Sequence, residues 1–395
     1  MKRNAWTMAL IGTGLLSLPA VIQAEEKATP VLTTLSETTL GGYVDTSAIW
    51  MFGTGNILYG RSFDQGSNSA PGQNKQDGFN LDVVSLTLDK PLTDGGWSAG
   101  YHVQLMFGPD ANALASTSTF NNTSDFAIKE AYVALRTPVG NGLDFKMGVW
   151  TELLGYEVME SGSNPNFSRS FGFYLEPIIH TGLLASYKFN DILSASAGVV
   201  NRGADSNAIN ARSGVESLKS YTGLITLTAP ESFGFMKGAT LNFGILDSGV
   251  SAATRTVAQG TMDPLNYYVG ISTPTPISNL SVGIGYDYRA NGLFDHSYES
   301  AVDGYVMYQA TEKLKFANRL EYATGSAGAW GVTPGPTQHN VSLLGETFTA
   351  DYSLWANTIT RAELRWDHSL TGQGMFGDGT EKNAVSLALN VIYKF

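Results

Sequence analysis

The sequence contains no cysteine, so neither a disulfide framework nor a thiolate metal site can hold this fold together; the redox compartment stays open on that count. Charge is sparse as well: 15% of residues are charged, against roughly 25% in soluble domains. Bases are the scarcer sign, 24 Lys and Arg against 35 Asp and Glu. That deficit argues against a nucleic-acid partner, whose phosphates need cationic neutralisation. Beyond residue 24 no run approaches the ~20 apolar residues of a membrane-spanning helix. What the 395 residues do hold is glycine (44) and aromatics (19 Phe, 18 Tyr, 7 Trp). With 43% hydrophobic residues the chain is not disordered. Its composition points to an all-β fold.

The N-terminus places the chain outside the cytoplasm. Lys2 and Arg3 precede an apolar run from Met8 to Ile22, and the small Ala24 stands before Glu25 and Glu26. This is the layout of a secretory signal peptide over 1–24, followed by a short periplasmic segment over 25–38. Ile22 departs from the Ala-x-Ala pattern at the cleavage site. Removing Lys2 and Arg3 leaves 22 bases against 35 acids, a mature charge of −13.

A two-residue rhythm runs through the rest. Val385, Leu387, Leu389, Val391, Tyr393 and Phe395 alternate with Ala384, Ser386, Ala388, Asn390, Ile392 and Lys394. Successive strand residues point to opposite faces, so one face is apolar and the other mostly small or polar. A soluble sandwich shows this too. The charged strands favour a membrane barrel. Arg361, Glu363, Arg365 and Asp367 share one face and Ala362, Leu364 and Trp366 the other. Lys313, Lys315, Arg319 and Glu321 oppose Leu314, Phe316, Leu320 and Tyr322, while Asp287 and Arg289 oppose Tyr286 and Tyr288. Charges of both signs in mid-strand suit a watery lumen, and an apolar, aromatic-tipped face suits lipid.

Connection lengths sharpen this. Strands are expected near 39–52, 79–91, 97–108, 125–137, 142–150, 177–189, 192–201, 218–229, 236–247, 262–273, 278–290, 297–310, 313–324, 344–354, 357–368 and 382–395. Short links alternate with longer Gly-, Ser- and Asn-rich ones, only 291–296 being brief among the latter. The expectation over 39–395 is a closed antiparallel transmembrane β-barrel of about sixteen strands, fourteen to eighteen being compatible. Its short turns would be periplasmic and its long loops extracellular. Hydrocarbon offers no hydrogen-bond partner, and closing the sheet leaves no unpaired edge.

A barrel of sixteen to eighteen strands encloses an aqueous channel unless plugged. Too little chain precedes the first strand for a plug domain, so a loop must narrow it. Residues 151–176 are the candidate, being long yet apolar through Leu153, Leu154, Tyr156, Phe167, Phe171, Phe173 and Tyr174. Such a surface folds against protein rather than water, either inside the lumen or on the barrel rim. Constriction candidates are Glu152, Tyr156, Glu157, Glu160, Arg169, Glu176 and His180. Carboxylates outnumber bases there, which predicts a modest cation preference, with Arg169 paired to one of the glutamates. The basic strand faces from Lys313 to Arg319 and Arg361 to Arg365 would oppose it.

The stretches Leu40-Gly41-Gly42-Tyr43-Val44-Asp45, Gly155-Tyr156-Glu157, Asn166-Phe167-Ser168-Arg169-Ser170 and Pro177 with His180-Thr181-Gly182 resemble the OmpL-like β-barrel porin-2 family of outer-membrane proteins. The resemblance is sharpest in the first half and implies a porin-like channel without naming a solute. Tyr393 and the terminal Phe395 resemble the sorting signal read by the outer-membrane barrel assembly machinery.

Catalytic patterns are missing. The five histidines (His102, His180, His296, His339, His368) fit no His-Glu-x-x-His pattern, and neither a Gly-x-Ser-x-Gly elbow nor a phosphate loop occurs. Asp367 and His368 are neighbours on opposite strand faces and so poorly placed to act together. The reading is a non-enzymatic, cofactor- and metal-free outer-membrane channel for small hydrophilic solutes, embedded in the lipid bilayer. The alternative is a structural or adhesive surface protein whose loops bind a partner. Monomer and trimer stay open, because a lipid-facing and a subunit-facing apolar surface read alike.

Overall fold

The computed structural model describes residues 37–52, 63, 75, 77–114, 125–203, 207–211, 218–248, 264–293, 296–331, 340–372, 374–376 and 380–395. The expected signal peptide and most of the 25–38 segment lie outside these residues, as does His339.

Sixteen strands follow one another: β1 (Thr39–Met51), β2 (Gly78–Lys90), β3 (Ser98–Phe107), β4 (Phe126–Thr137), β5 (Leu143–Thr151), β6 (Ile179–Lys188), β7 (Leu193–Val200), β8 (Ser220–Thr228), β9 (Thr240–Asp247), β10 (Leu265–Pro274), β11 (Leu280–Ala290), β12 (Tyr298–Gln309), β13 (Leu314–Gly325), β14 (Val341–Trp355), β15 (Thr358–Ser369) and β16 (Asn383–Lys394). Each pairs antiparallel with the next, and β16 returns to β1, closing the barrel. Two backbone hydrogen bonds of 3.0 Å between Gly42 and Phe395 extend that seam.

The expected strands and the observed ones coincide to within a few residues. The largest difference is at β9, expected from 236 and found from Thr240. Gly234 and Gly238 take positive φ angles of 60° and 80° there, coiling the turn tightly before the strand begins. Lys313 was expected on a lumen face and instead lies exposed in the β12–β13 turn. The Thr311 hydroxyl accepts the backbone N–H groups of Lys313 (3.2 Å) and Leu314 (3.0 Å), so the turn ends only at Leu314.

The barrel exterior is apolar and exposed: Val133, Leu135, Met147, Leu183, Phe243, Ile284, Val306, Leu320, Phe348, Leu364 and Leu389 all point outward. Trp97 and Trp355 flank this band at the short-turn end, as interfacial aromatics do. Tyr393 and Phe395 are on the same outer surface. The buried apolar clusters lie inside, where a long segment between β5 and β6 meets the inner wall. Phe171 and Leu175 pack with Ala301, Ala323, Trp330 and Leu343. Leu153, Leu154 and Tyr156 pack with Leu184, Val200, Leu246, Tyr268 and Tyr305.

Candidate functional site

That segment, residues 152–178, enters the lumen and runs across it. Its base is tied where Glu152 N–H donates to the Ile178 carbonyl at 3.0 Å. Between these points it touches β1, β3, β4, β6 and β8 to β16. An irregular segment has no ladder partners, yet its buried N–H and C=O groups must be satisfied. The inner wall supplies them.

The wall from β12 to β15 does so with acidic and basic side chains. Glu363 accepts the N–H groups of Phe167 (2.6 Å) and Ser168 (2.9 Å), Glu321 that of Phe171 (2.7 Å), and Asp303 that of Gly172 (3.1 Å). Arg361 donates to the carbonyls of Ser161 (2.5 Å) and Asn164 (3.1 Å), Arg319 to Ser168 (2.7 Å), and Arg365 to Arg169 (2.7 Å). The wall charges are cross-linked in turn: Arg319 with Glu321 at 2.8 Å, Arg365 with Asp367 at 3.0 Å, and Arg361 with Asp351 at 2.5 Å. Charge-assisted bonds are about twice as strong as neutral ones, so they suit a buried backbone without regular structure.

The adjoining arc from β7 to β11 makes room instead. A Cβ on Gly283 would lie 1.8 Å from Tyr156 Oη, one on Gly244 2.9 Å from Leu154, and one on Gly198 3.1 Å from Trp150. Tyr156 stacks on Tyr305 with centroids 4.0 Å apart. Gly155 has φ 115°, and a Cβ there would meet the Glu176 carboxylate at 2.2 Å, so the two ends of the loop cross at a glycine.

Each expected constriction carboxylate has a specific partner. Glu152 binds His180 and the Thr222 hydroxyl (3.0 Å), and the other His180 nitrogen faces the Arg202 carbonyl at 3.0 Å. Glu157 accepts from Arg319 (2.8 Å), Tyr305 (3.1 Å) and Ser170 N–H (2.7 Å). Glu160 binds Lys129 and Gln104 (2.9 Å). Burial pushes Glu160 up, but the Lys129 charge and these hydrogen bonds outweigh it and hold the carboxyl below its ordinary range. Glu152 is held low the same way, burial being overcome by His180 and the Leu153 and Thr222 hydrogen bonds. Glu176 goes the other way. Burial, then the charge and hydrogen bond of Asp287, then Glu152 and Asp303, push it well above its ordinary range.

Arg169 was expected to pair with a glutamate. It donates to the carbonyls of Phe167 and Met159 and lies 5.1 Å over the Phe63 ring, while Arg319, Lys129 and His180 bind the glutamates. Of the expected lumen charges, Asp287, Arg319, Glu321, Arg361, Glu363 and Arg365 are buried against the loop. Arg289 pairs with Glu299 (2.8 Å) and Lys315 with Asp351 (3.0 Å) along the wall. His368 stacks with Trp366 on the outer face while Asp367 points inward, so those two side chains diverge as expected. On the short-turn side Tyr101, Tyr132, Arg136 and Lys146 line a pocket, with the Lys146 ammonium 4.6 Å from the Tyr132 ring.

Two of the buried charges that the sequence reading did not name stand at β-bulges. The β1–β2 register shifts between Asp45 and Thr46, and the β3–β4 register between Gln104 and Leu105. The extra residues are Asp82 and Lys129, and the bulges turn both inward. Asp82 meets Ser47 (2.9 Å) and Lys75 (3.2 Å), while Lys129 reaches Glu160. The signal was the broken alternation at Leu81-Asp82-Val83-Val84 and Ile128-Lys129-Glu130-Ala131.

A closed sixteen-strand barrel with an apolar exterior and an internal loop narrows the comparison to channel-forming outer-membrane proteins. The family model described as "Putative beta-barrel porin-2, OmpL-like" matches residues 37–395. The chain belongs to this family. It is an outer-membrane porin by family and fold. Among solved structures, the outer membrane channel DcaP of Acinetobacter baumannii is similar in fold, with TM-score 0.59 and 14% identity over 91% of this chain and 97% of that one. The anion-selective porin from Comamonas acidovorans has TM-score 0.55 and 12% identity over 91% and 99%. The trimer form of OmpT from Vibrio cholerae gives TM-score 0.55 and 12% identity over 91% and 99%. No curated protein matches the sequence. Among the described residues of this porin no group of His, Asp and Glu is arranged to hold a metal ion.

Proposed function

We propose that the porin is a passive diffusion channel for small hydrophilic solutes, with residues 152–178 as its constriction and a modest cation preference. The observation that carries this is the crossing of the lumen by a loop that binds strands on every side of it. Solute flux must pass between that loop and the wall. Glu157 and Glu160 have basic partners in Arg319 and Lys129, so the preference is assigned to the acidic end, Glu176 with Asp287 and Asp303. No catalytic step is assigned to any residue.

Outer-membrane delivery follows from a cleaved leader ending at Ala24, and recognition of Tyr393 and Phe395 by the assembly machinery. An intact mass beginning at Glu25 supports the leader, and a retained Met1 rules it out. Deleting Phe395 is expected to lower surface levels without changing conductance. A trimer like that of OmpT from Vibrio cholerae is the proposed assembly.

Planar bilayers under a salt gradient test the channel reading. Stable steps whose reversal potential favours the cation support it. Anion preference would remove the acidic end as the selectivity element. Silence from folded protein would favour a structural or adhesive role.

A further inference from the structure

The carboxyl groups of Glu176, Asp287 and Asp303 converge from the loop, β11 and β12. A Cβ built on Gly172 would lie 2.5 Å from Asp287 Oδ2 and 2.4 Å from Asp303 Oδ2, so both oxygens close on one point of the loop backbone. One oxygen of each of the three carboxyls is buried with no hydrogen-bond donor, and so is Asn266 Oδ1 beside them. Glu176 packs on Gly155, and the next residue, Tyr156, lies over Gly285, one same-face step from Asp287, which brings the Glu176 and Asp287 carboxyls within reach of one hydrogen bond. Two carboxyls can form that bond only if one of them carries a proton, because two carboxylates have acceptors and no donor.

We propose that Glu176, Asp287 and Asp303 are a proton-held latch that pins the C-terminal end of the loop across the lumen, and that losing the shared proton releases this end and widens the channel. The proposal rests on the loop being the constriction.

The surroundings reinforce it. On β13, Arg319 is bound to Glu157 and Glu321, and Glu321 adds a further negative group. On β11, Arg289 is bound to Glu299 of β12. From β10 come Asn266, whose amide holds the Leu175 carbonyl at 2.9 Å, and the Tyr268 phenol. Tyr305 of β12 donates to Glu157. From the loop itself come Tyr156 and Glu152, the latter bound to His180 of β6. The facing bases are thus engaged by other carboxylates. A second negative charge at the Glu176–Asp287 pair would repel its neighbours at hydrogen-bond distance in a poorly screened interior.

The direction follows from linkage. Glu176 holds its proton above the ordinary carboxylate range, chiefly through burial and the Asp287 charge. The latch is therefore fully closed in acid, below that ordinary range, and is lost as pH rises through the raised value. With one proton released per opening, the closed-to-open ratio falls up to about tenfold per pH unit across that window.

Single-channel recording of the full-length protein between about pH 5 and pH 8 tests this, with Glu176→Gln as the variant. Wild type is expected to open progressively as pH rises. In Glu176→Gln the amide donates to Asp287 at every pH, so the channel is expected to stay in the low-conductance state with no pH response. Asp287→Asn, which likewise keeps a donor in the pair, is expected to match it. Heat-modifiable migration and β-type circular dichroism confirm that each variant is folded. A wild type that conducts steadily with no pH response overturns the latch and leaves the porin reading intact. So does a folded Glu176→Gln that keeps the wild-type response. Silence of wild type at every pH, together with silence of Arg319→Ala, whose loop contacts are removed, fails the constriction reading instead.

Discussion

The two walls that face the internal loop solve the same packing problem with opposite chemistry. From β12 to β15 the wall presents Asp303, Arg319, Glu321, Arg361, Glu363 and Arg365, and most of their contacts with the loop are to its main chain. From β7 to β11 Gly198, Gly244 and Gly283 stand against side chains, Trp150 of β5 and Leu154 and Tyr156 of the loop, while Asn266 holds the Leu175 carbonyl. Charged rows on a barrel's inner face are commonly taken as pore lining. Here much of that charge satisfies a buried, irregular backbone that would otherwise cost about 1–3 kcal/mol per unpaired group. The glycines of this wall, lacking side chains, leave room for the loop's bulk. The loop is gripped on one side and accommodated on the other.

Breaking the grip has the largest expected effect. Arg319→Ala removes one guanidinium that serves Glu157, Glu321 and the carbonyls of Ser168 and Arg169. Leaving such carboxylates buried without their partner costs about 3–5 kcal/mol. The loop should detach, raising conductance and exposing the Arg169–Ser170 bond to trypsin. Wild-type conductance with full protease resistance would show that the grip lies elsewhere.

Lys129→Met is the next largest, at about 2–3 kcal/mol for the lost charged hydrogen bond. It also separates the two ends of the loop by their response to acid. In wild type Glu160 is held low, so its docking is present above the ordinary carboxylate range and is lost only as pH falls through the depressed value. Without Lys129, burial dominates and that loss moves towards neutral pH. Conductance measured in an acid series should show the variant loosening first, and identical curves would deny Glu160 a part in docking.

The smallest expected effect is Lys313→Ala. Its exposed place in the β12–β13 turn predicts conductance and ion preference equal to wild type. A measurable change in reversal potential would return Lys313 to the lumen field.

The barrel was legible because each of its determinants is local. Alternation in β13, β15 and β16 names the two faces, and the turn residues name the connections. Lys313 was misplaced because alternation continues through it, and only the Thr311 hydroxyl, bonding the next two N–H groups, stops the strand. The loop's apolar residues were readable as a buried surface. Its partners were not, because Phe167 to Glu363 and Ser161 to Asp45 are contacts between residues far apart in the chain that only barrel closure creates. The bulge residues Asp82 and Lys129 fell between these cases, since a single extra residue looks like noise in a period-two pattern.

A loop tied at Ser161 to β1, at Gly162 to β16, and at Leu175 to β10 on the far side also works as a strut. A hollow ring of sixteen strands resists bending along its strands far better than flattening across them. A tie between facing sides stiffens the direction in which the ring is softest. The segment that narrows the passage therefore also keeps its cross-section round, so a wider opening comes at the cost of resistance to sideways pressure from the membrane.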